Sequence, residues 1–354
     1  MLSKMQTKDK IIIVIPSFNG LDYLRSLLPQ LAQENYAYFD LEIVIVDNAS
    51  TDDSVSFIKN NFPQFTLLEN KENTGYVGAN NLAYDYAKKV AAKYIYLLNQ
   101  DTEITPGFLQ ALYDFALTNN FGSLQSKLKL FPEINKINTI GNVIHFLGFG
   151  FGAGSGQFDK EDQKIQKINY ASGAGVLVNM KALEIRGYLF DKTMFAYLED
   201  LDLGWSLQML GYDNYLIPES IIYHKYQFSR SMRQVYWFER NRLWILLKNY
   251  KLATLIILFP AWFLMELGQI YFAWRNDYLQ NKIKSYKWLF VKKEWKILLK
   301  YRKKIQTLRV VNDRHILQNF SGRILFQPLD STLLRIANFI FDLYFQIIRI
   351  FIVW

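Results

Sequence analysis

The 354-residue sequence predicts an α/β fold: a mostly parallel sheet flanked by helices over residues 1–249, then a helical, basic and aromatic region over 250–354. Three observations carry this expectation. Runs of strand length, "IIIVIP", "LEIVIVD" and "YIYLLN", alternate with "LDYLRSLLPQLAQ", "DDSVSFIKNNF" and "GANNLAYDYAKKVAAK", in which apolar residues recur at helical spacing. Polar residues gather where each run stops. After Asn249 the strand pattern ends and lysines begin to interleave with Trp, Leu and Phe. Strand-helix-strand repetition implies parallel strands covered by helices, and in an open parallel sheet the carboxyl ends of the strands form the ligand crevice.

The first strand ends in Pro16, Ser17 and Asn19. The second ends at Asp47 and Asn48 in "VDNASTDDS", where Ser50 and Thr51 can cap the next helix. A carboxylate at Asp47 can accept hydrogen bonds from a nucleoside, and it can equally serve the turn alone. "NTGYVGANNLA" places Asn73, Gly78 and Asn80 at the mouth of the following helix. Glycine permits close backbone approach there, and a helix start favours anions. The third run stops at Asn99-Gln100-Asp101. A lone carboxylate in so apolar a context has to be neutralised or paired. A divalent cation is one such partner, since Mg²⁺ usually takes only one or two protein carboxylates and fills its shell from substrate phosphates.

Residues 141–169 include "GFGFGAGSG" and read as a mobile connection; the glycines lack the Lys-Ser/Thr of a phosphate loop. "GAGVLVNM" follows as a strand, "YLEDLDLGWSLQML" as a helix and "DNYLIPES" as a strand. Glu199, Asp200 and Asp202 fall within one helical turn, where the helix dipole favours acids. Phe195, Tyr197, Leu198, Leu201, Leu203 and Trp205 surround them, so the acids are expected to line a pocket. Crowded carboxylates raise one another's proton affinity, which suits a general base. His224, taken alone, reads as a structural histidine after a strand.

The absence of cysteine excludes disulfides, zinc-thiolate sites and thiol chemistry. A formal net charge of +9 admits nucleic acid or an anionic membrane surface as partner. The lysines concentrate in the apolar C-terminal third, which fits lipid and leaves no nucleic-acid partner expected. "MLSKMQTKDK" before "IIIVIP" is wrongly flanked for a secretory signal, so the first 240 or so residues are expected in the cytoplasm. Residues Leu252 to Trp274 are largely apolar, but Pro260, Glu266 and Gln269 interrupt them, whereas a clean span needs about twenty apolar residues. A single crossing there would also place the following lysines outside, against the positive-inside tendency. "NKIKSYKWLFVKKEWKILLKYRKK" and "LLRIANFIFDLYFQIIRIFIVW" read instead as amphipathic helices on the cytoplasmic face of the cell membrane, peripheral or monotopic. The same helices could form an ordinary helical domain or a homodimer interface.

Taken in order, "VIPSFNG", "VDNASTDDS", "ENTGYVGANNLA", "LLNQDTEI", "SGAGVLV", "YLEDLDLGWSLQMLGY" and "YHKYQFS" resemble family 2 glycosyltransferases, especially the rhamnosyltransferase-like branch, over about residues 10–245. The resemblance implies a GT-A fold, with a nucleotide-sugar half over about 10–130 and an acceptor half over about 131–249. It implies an inverting, Mg²⁺- or Mn²⁺-dependent transferase. By it Asp47 contacts the base, Asp101 is the acid of the metal motif, Asp200 is the catalytic base, and His224 is a further metal ligand from about 120 residues downstream. Glu199 and Asp202 are supporting acids. Pro16, Ser17, Asn19, Asp47, Asn73, Gly78, Asn80 and Asn99 are expected around the donor. Two departures stand out: Gln100, where proline is frequent, and "LGWSLQ", where an arginine often replaces Trp205 or Ser206.

The expected partners are a nucleotide-sugar donor, dTDP-rhamnose in the first instance, and a saccharide acceptor on a polyprenyl diphosphate, in cell-surface polysaccharide synthesis. The alternatives are a UDP-sugar-dependent transferase of the same family and an inactive membrane-docking scaffold. A nucleotidyltransferase is disfavoured, because no Gly-rich arginine loop followed by lysine lies near "IIIVIPSFNG".

Overall fold

The computed structural model describes residues 8–34, 36–226, 235–326 and 332–354. The first half alternates β1 (Lys10–Ser17), α1 (Leu21–Gln33), β2 (Asp40–Asp47), α2 (Ser54–Asn61), β3 (Thr66–Glu69), α3 (Gly75–Lys89) and β4 (Tyr94–Leu98). The second half holds β5 (Thr102–Ile104), α4 (Phe108–Thr118), β6 (Ser123–Leu130), β7 (Ile137–Thr139), β8 (Asn142–Ile144), β9 (Gly150–Gly152), β10 (Gln166–Ile168), β11 (Gly175–Asn179), α5 (Met180–Arg186), α6 (Glu199–Met209) and β12 (Asn214–His224). Helices α7 (Val235–Asn249), α8 (Leu252–Arg275), α9 (Leu279–Lys284), a 3₁₀ turn (Lys287–Phe290), α10 (Lys292–Leu308), α11 (Asp313–Gln318) and α12 (Thr332–Phe351) follow.

The main sheet runs β10-β12-β6-β11-β4-β1-β2-β3. Strands β3, β2, β1 and β4 are parallel, and Ile11 to Ile15 are fully buried, as expected for strands covered on both faces. Ser17 pairs in register with Asp47, so the polar ends of β1 and β2 stop level with one another. Antiparallel β11 then joins β4 to β6. The three strands expected in the first half are present, together with the short edge strand β3.

Residues 141–169 differ from the mobile connection expected. They form the two-stranded β8–β9 sheet and strand β10, and they bury Ile144, Phe146, Leu147 and Phe151. Glycine is needed there for packing: a Cβ at Gly150 would lie 2.2 Å from the Tyr170 hydroxyl.

The C-terminal helices share one hydrophobic cluster with the sheet. Trp205 of α6 meets Tyr250 and Phe320 edge-on at 4.7 and 4.9 Å, and Phe146 stacks on Phe345 at 4.8 Å. In α10 the apolar side packs inward, burying Leu298 and Ile305 and leaving Lys292, Lys293, Lys296 and Lys300 exposed. The apolar face expected to meet lipid there is therefore spent on the protein. Helix α8 is long and apolar enough to cross a membrane by length and composition. Its Glu266, however, is buried against Arg242 of α7, Lys282 of α9 (2.8 Å) and the Tyr286 hydroxyl. Breaking a buried ion pair by removing one partner is strongly destabilising, so these contacts tether α8 to α7 and α9. The outer side of α8 exposes Ile256, Phe259, Phe263 and Leu267, and α12 exposes Phe339, Leu343, Ile347 and Ile350.

Candidate active site

A cleft of about 280 Å³ opens at the carboxyl ends of β1, β2 and β4. Pro16, Ser17, Asn73, Asn99 and Asp101 line it, together with Phe18, Asn48, Gly75, Tyr76, Gln100 and Phe195. Asn48 ties the end of β2 to the next loop, donating to Asn73 Oδ1 (3.0 Å) and the Gly75 carbonyl (3.1 Å) and accepting from the Thr74 N–H (3.0 Å). Gly75 has φ +73°, and a Cβ on it would meet the Phe195 carbonyl at 2.3 Å, so glycine lets the loop before α6 close over the cleft. Gln100, in the position where proline is frequent, clamps Phe18 by exchanging hydrogen bonds with its N–H (3.2 Å) and carbonyl (3.3 Å).

The donor residues expected from sequence divide. Ser17 Oγ, Asp47 Oδ1 and Asn99 Oδ1 are buried at three strand ends without hydrogen-bond partners, which leaves acceptors for a polar ligand. Asp47 Oδ2 accepts from the Ser50 N–H (3.0 Å), so the carboxylate also serves its turn. Asn19 is exposed and its Oδ1 accepts from the Thr51 N–H (2.8 Å), bracing the β1 loop against the β2 loop. Gly78 and Asn80, expected at the mouth of the helix, lie within α3, and Asn80 Oδ1 is a further buried acceptor without a partner. A Cβ on Gly78 would strike Thr74, and Asn80 is fully buried, donating to the Tyr76 carbonyl.

Antiparallel pairing of β5 with β12 sets His224 opposite Thr102, beside Asp101. His224 Nε2 lies 3.4 Å from Asp101 Oδ1. Its Nδ1 is 2.9 Å from Asn138 Oδ1, which as an acceptor holds the proton on Nδ1 and turns the Nε2 lone pair toward Asp101. This oxygen and nitrogen pair fits a divalent cation that completes its shell from a diphosphate. Among the described residues no group of three or more His, Asp or Glu gathers, and Asp101 and His224 are the pair placed together here. Asn138, on β7, carried no sequence signal. The "QFS" that follows in the last motif lies outside the described residues.

On α6 the three acids separate. Asp200 Oδ2 accepts from the Gly173 N–H (3.2 Å) and Oδ1 from the Leu201 N–H (2.7 Å). The Gly173 carbonyl in turn accepts the Tyr76 hydroxyl (2.7 Å), which links Asp200 to the cleft wall. Burial pushes the Asp200 and Glu199 carboxyls up, Glu199 further by the charge of Asp200. Burial and those same acids hold the Tyr76 phenol well above its usual range, so it stays a neutral donor. Glu199 Oε2 is buried without a partner. Asp202 needs correction: it faces the core, bound to Arg186 (2.7 Å) and Lys248 (2.6 Å), and it anchors α6 rather than lining the cleft.

Sequence similarity places this geometry. Residues 12–185 match the profile of glycosyl transferase family 2, and relatives bear the same activity in their names. Residues 12–185, just under half of the chain, belong to glycosyl transferase family 2. The chain is 24% identical over 207 residues to an N-acetylglucosaminyl-diphospho-decaprenol L-rhamnosyltransferase of Mycobacterium tuberculosis, covering 52% of this chain and 67% of the relative. It is 29% identical over 124 residues to an uncharacterized glycosyltransferase, YibD, of Escherichia coli, covering 34% of each. It thus spans about a third of that relative's length. The fold is of the GT-A type; a crystal structure of GalNAc-T7 with UDP, GalNAc and Mn²⁺ superposes with TM-score 0.52 at 13% identity, over 62% of this chain and 44% of that one.

One residue that sequence reading missed holds the turn before α6 in place. Tyr197 and Leu198, just before Glu199, both have positive φ (70° and 63°), a conformation costing about 1–3 kcal/mol for each non-glycine residue. Fully buried Asn241 of α7 donates to the Ala196 carbonyl (3.0 Å) and the Tyr197 carbonyl (2.8 Å) and pins the turn. Asn241→Ala is expected to lower kcat by up to about a hundredfold through misplacement of Asp200 while donor KM stays put. Steady-state kinetics check this, and a rise in donor KM with kcat unchanged would contradict it.

Proposed function

We propose that this chain is a divalent-metal-dependent, inverting glycosyltransferase, working at the cytoplasmic face of a membrane on a saccharide carried by a lipid diphosphate. One observation carries the reading: Asp101, with His224 3.4 Å behind it, lines the same cleft as Tyr76, whose hydroxyl reaches Asp200 through Gly173.

Asp101 and His224 would hold Mg²⁺ or Mn²⁺. When bound, the cation supplies charge compensation to the departing nucleoside diphosphate. Ser17, Asp47 and Asn99 offer acceptors to the donor's polar groups. Asp200, deprotonated, takes the proton of an acceptor hydroxyl as that oxygen bonds to the anomeric carbon, and the carbon–oxygen bond to the diphosphate breaks on the opposite face. Configuration inverts, and the proton leaves on the Asp200 carboxyl. Glu199, proton-bearing beside it, keeps the negative charge on Asp200.

The 24% identical N-acetylglucosaminyl-diphospho-decaprenol L-rhamnosyltransferase supports a lipid-linked acceptor and a rhamnosyl donor, for which dTDP-rhamnose is our first to test. The GalNAc-T7 complex with UDP keeps a UDP-sugar as the alternative. In this reading residues 1–249 are catalytic, with a nucleotide-sugar half to about 130, and residues 250–354 associate with the membrane through the exposed apolar sides of α8 and α12. Incubating the purified full chain with a panel of nucleotide sugars and measuring nucleoside diphosphate release tests it, and the anomeric configuration of the product reports the stereochemistry.

Membrane association has its own expected outcome. Each lysine near an anionic surface contributes roughly 1 kcal/mol, which salt screens, whereas the apolar term of α8 and α12 is unscreened. Flotation with anionic liposomes should recover the protein with the vesicles, with high salt loosening but not stripping it. A chain that stays entirely in the soluble fraction and glycosylates only soluble acceptors contradicts the membrane reading.

A further inference from the structure

A second cavity, also of about 280 Å³, lies apart from the reaction cleft. Leu243 and Leu246 of α7, Leu255, Phe259 and Trp262 of α8, and Trp295 of α10 form its walls, and every lining residue is Leu, Phe or Trp. Water finds no partner in such a space, and an apolar cavity of about 150 Å³ already binds benzene. A suitable occupant is therefore hydrocarbon. The source follows from the mouth. Phe259, which lines the cavity, is 57% exposed and stacks on Phe263, 52% exposed, on the outer apolar side of α8. A chain entering past Phe259 comes from an apolar phase rather than from water. Exposed Lys287, Lys292, Lys293 and Lys296 flank the lining residues Leu289 and Trp295 in the chain, a basic stretch suited to an anionic headgroup.

One helix also joins the cavity to the turn before α6. Helix α7 presents Leu243 and Leu246 to it and, two and five residues earlier, presents Asn241 to the strained turn that precedes Glu199 and Asp200. At a rise of about 1.5 Å per residue, Asn241 and Leu246 are roughly 8 Å apart along the helix. A lipid whose chain sits here holds its phosphate end beside the catalytic half.

We propose that this cavity takes the phosphate-proximal part of the hydrocarbon chain of the lipid that carries the acceptor, and so delivers the acceptor saccharide toward Asp200. The proposal rests on the membrane-associated transferase reading above. The test uses the full chain in detergent micelles, with farnesyl phosphate as probe, inorganic phosphate and dioleoylphosphatidylglycerol as competitors, and Leu246→Phe and Leu255→Phe narrowing the cavity from opposite walls. Saturable binding is expected, weakened about tenfold or more by either variant, with little competition from the other two compounds. Undiminished binding in variants that melt like the parent overturns it, as does equal displacement by dioleoylphosphatidylglycerol, which would mark a general lipid site. Should both variants misfold, a photoactivatable farnesyl phosphate on the unaltered chain decides: label on α7 and α8 peptides supports the proposal, and label only elsewhere overturns it. Transfer to a lipid-linked saccharide with the binding result negative would leave the enzyme reading intact. Saturable binding with no nucleoside diphosphate released from any donor would remove that reading instead.

Discussion

Asp200→Asn is expected to lower transfer by about 10²–10⁴-fold, the range typical of a lost general base, with donor affinity near that of the parent because the amide keeps the shape. The same variant should be more stable at neutral and alkaline pH. Burial raises the Asp200 carboxyl above the ordinary value of about 3.9, so as pH rises past that value the unfolded chain loses its proton first and gains relative stability. The parent's stability falls across the window between the unfolded and the raised folded value and stays lower above it, whereas the amide has no such loss. Each pKa unit is about 1.4 kcal/mol, so thermal unfolding at pH 8 should show a higher midpoint for the variant, with the gap closing toward pH 4. The parent's activity should fall on the acid side at a higher pH than an ordinary carboxylate gives. Glu199→Gln is the comparison: if that variant is inert while Asp200→Asn turns over normally, the base is Glu199.

Asp101→Ala is expected to cost on the order of a hundredfold to a thousandfold in kcat, the loss typical of one electrostatic stabiliser of a transition state. Activity of the parent should vanish in excess chelator and return with Mg²⁺ or Mn²⁺. His224→Ala should be milder, raising the metal concentration needed for half-maximal rate before abolishing turnover, because Asp101 still offers an oxygen ligand. Asn138→Leu should shift metal dependence in the same direction, since the imidazole loses the acceptor that sets its tautomer. Full turnover in chelator would falsify the metal assignment.

The sequence alone determined the parallel half of the sheet and the location of its crevice. Ile11 to Ile15 and the apolar runs of β2 and β4 carry the signature of strands buried on both faces, and polar residues at a parallel strand's carboxyl end have one place to point. The spacing of its motifs also carried the family. Periodicity was silent about β6, because "SLQSKLKL" alternates like a half-exposed strand while Gln125, Ser126, Lys127 and Lys129 are all buried. Their polar groups are satisfied by distant residues, Lys127 and Lys129 by Asp159 and Ser126 by Tyr96 and Ser220.

Only the tertiary structure decided which polar residues face the cleft. Within one turn of α6, Asp200 turns toward Gly173 and Asp202 turns to Arg186 and Lys248, a split that depends on partners 16 and 46 residues away. Asn138 and Asn241 became legible for the same reason, since each acts on a residue far along the chain. The fate of the C-terminal helices was likewise a matter of packing. Composition marks both α8 and α10 as surface-seeking, but Trp205, Tyr250 and Phe320 close a core across residue 249, and the buried Glu266, Arg242 and Lys282 bind α8 to α7 and α9. An apolar stripe shows that a helix must be covered; the shape of the neighbouring surface determines whether protein or lipid covers it.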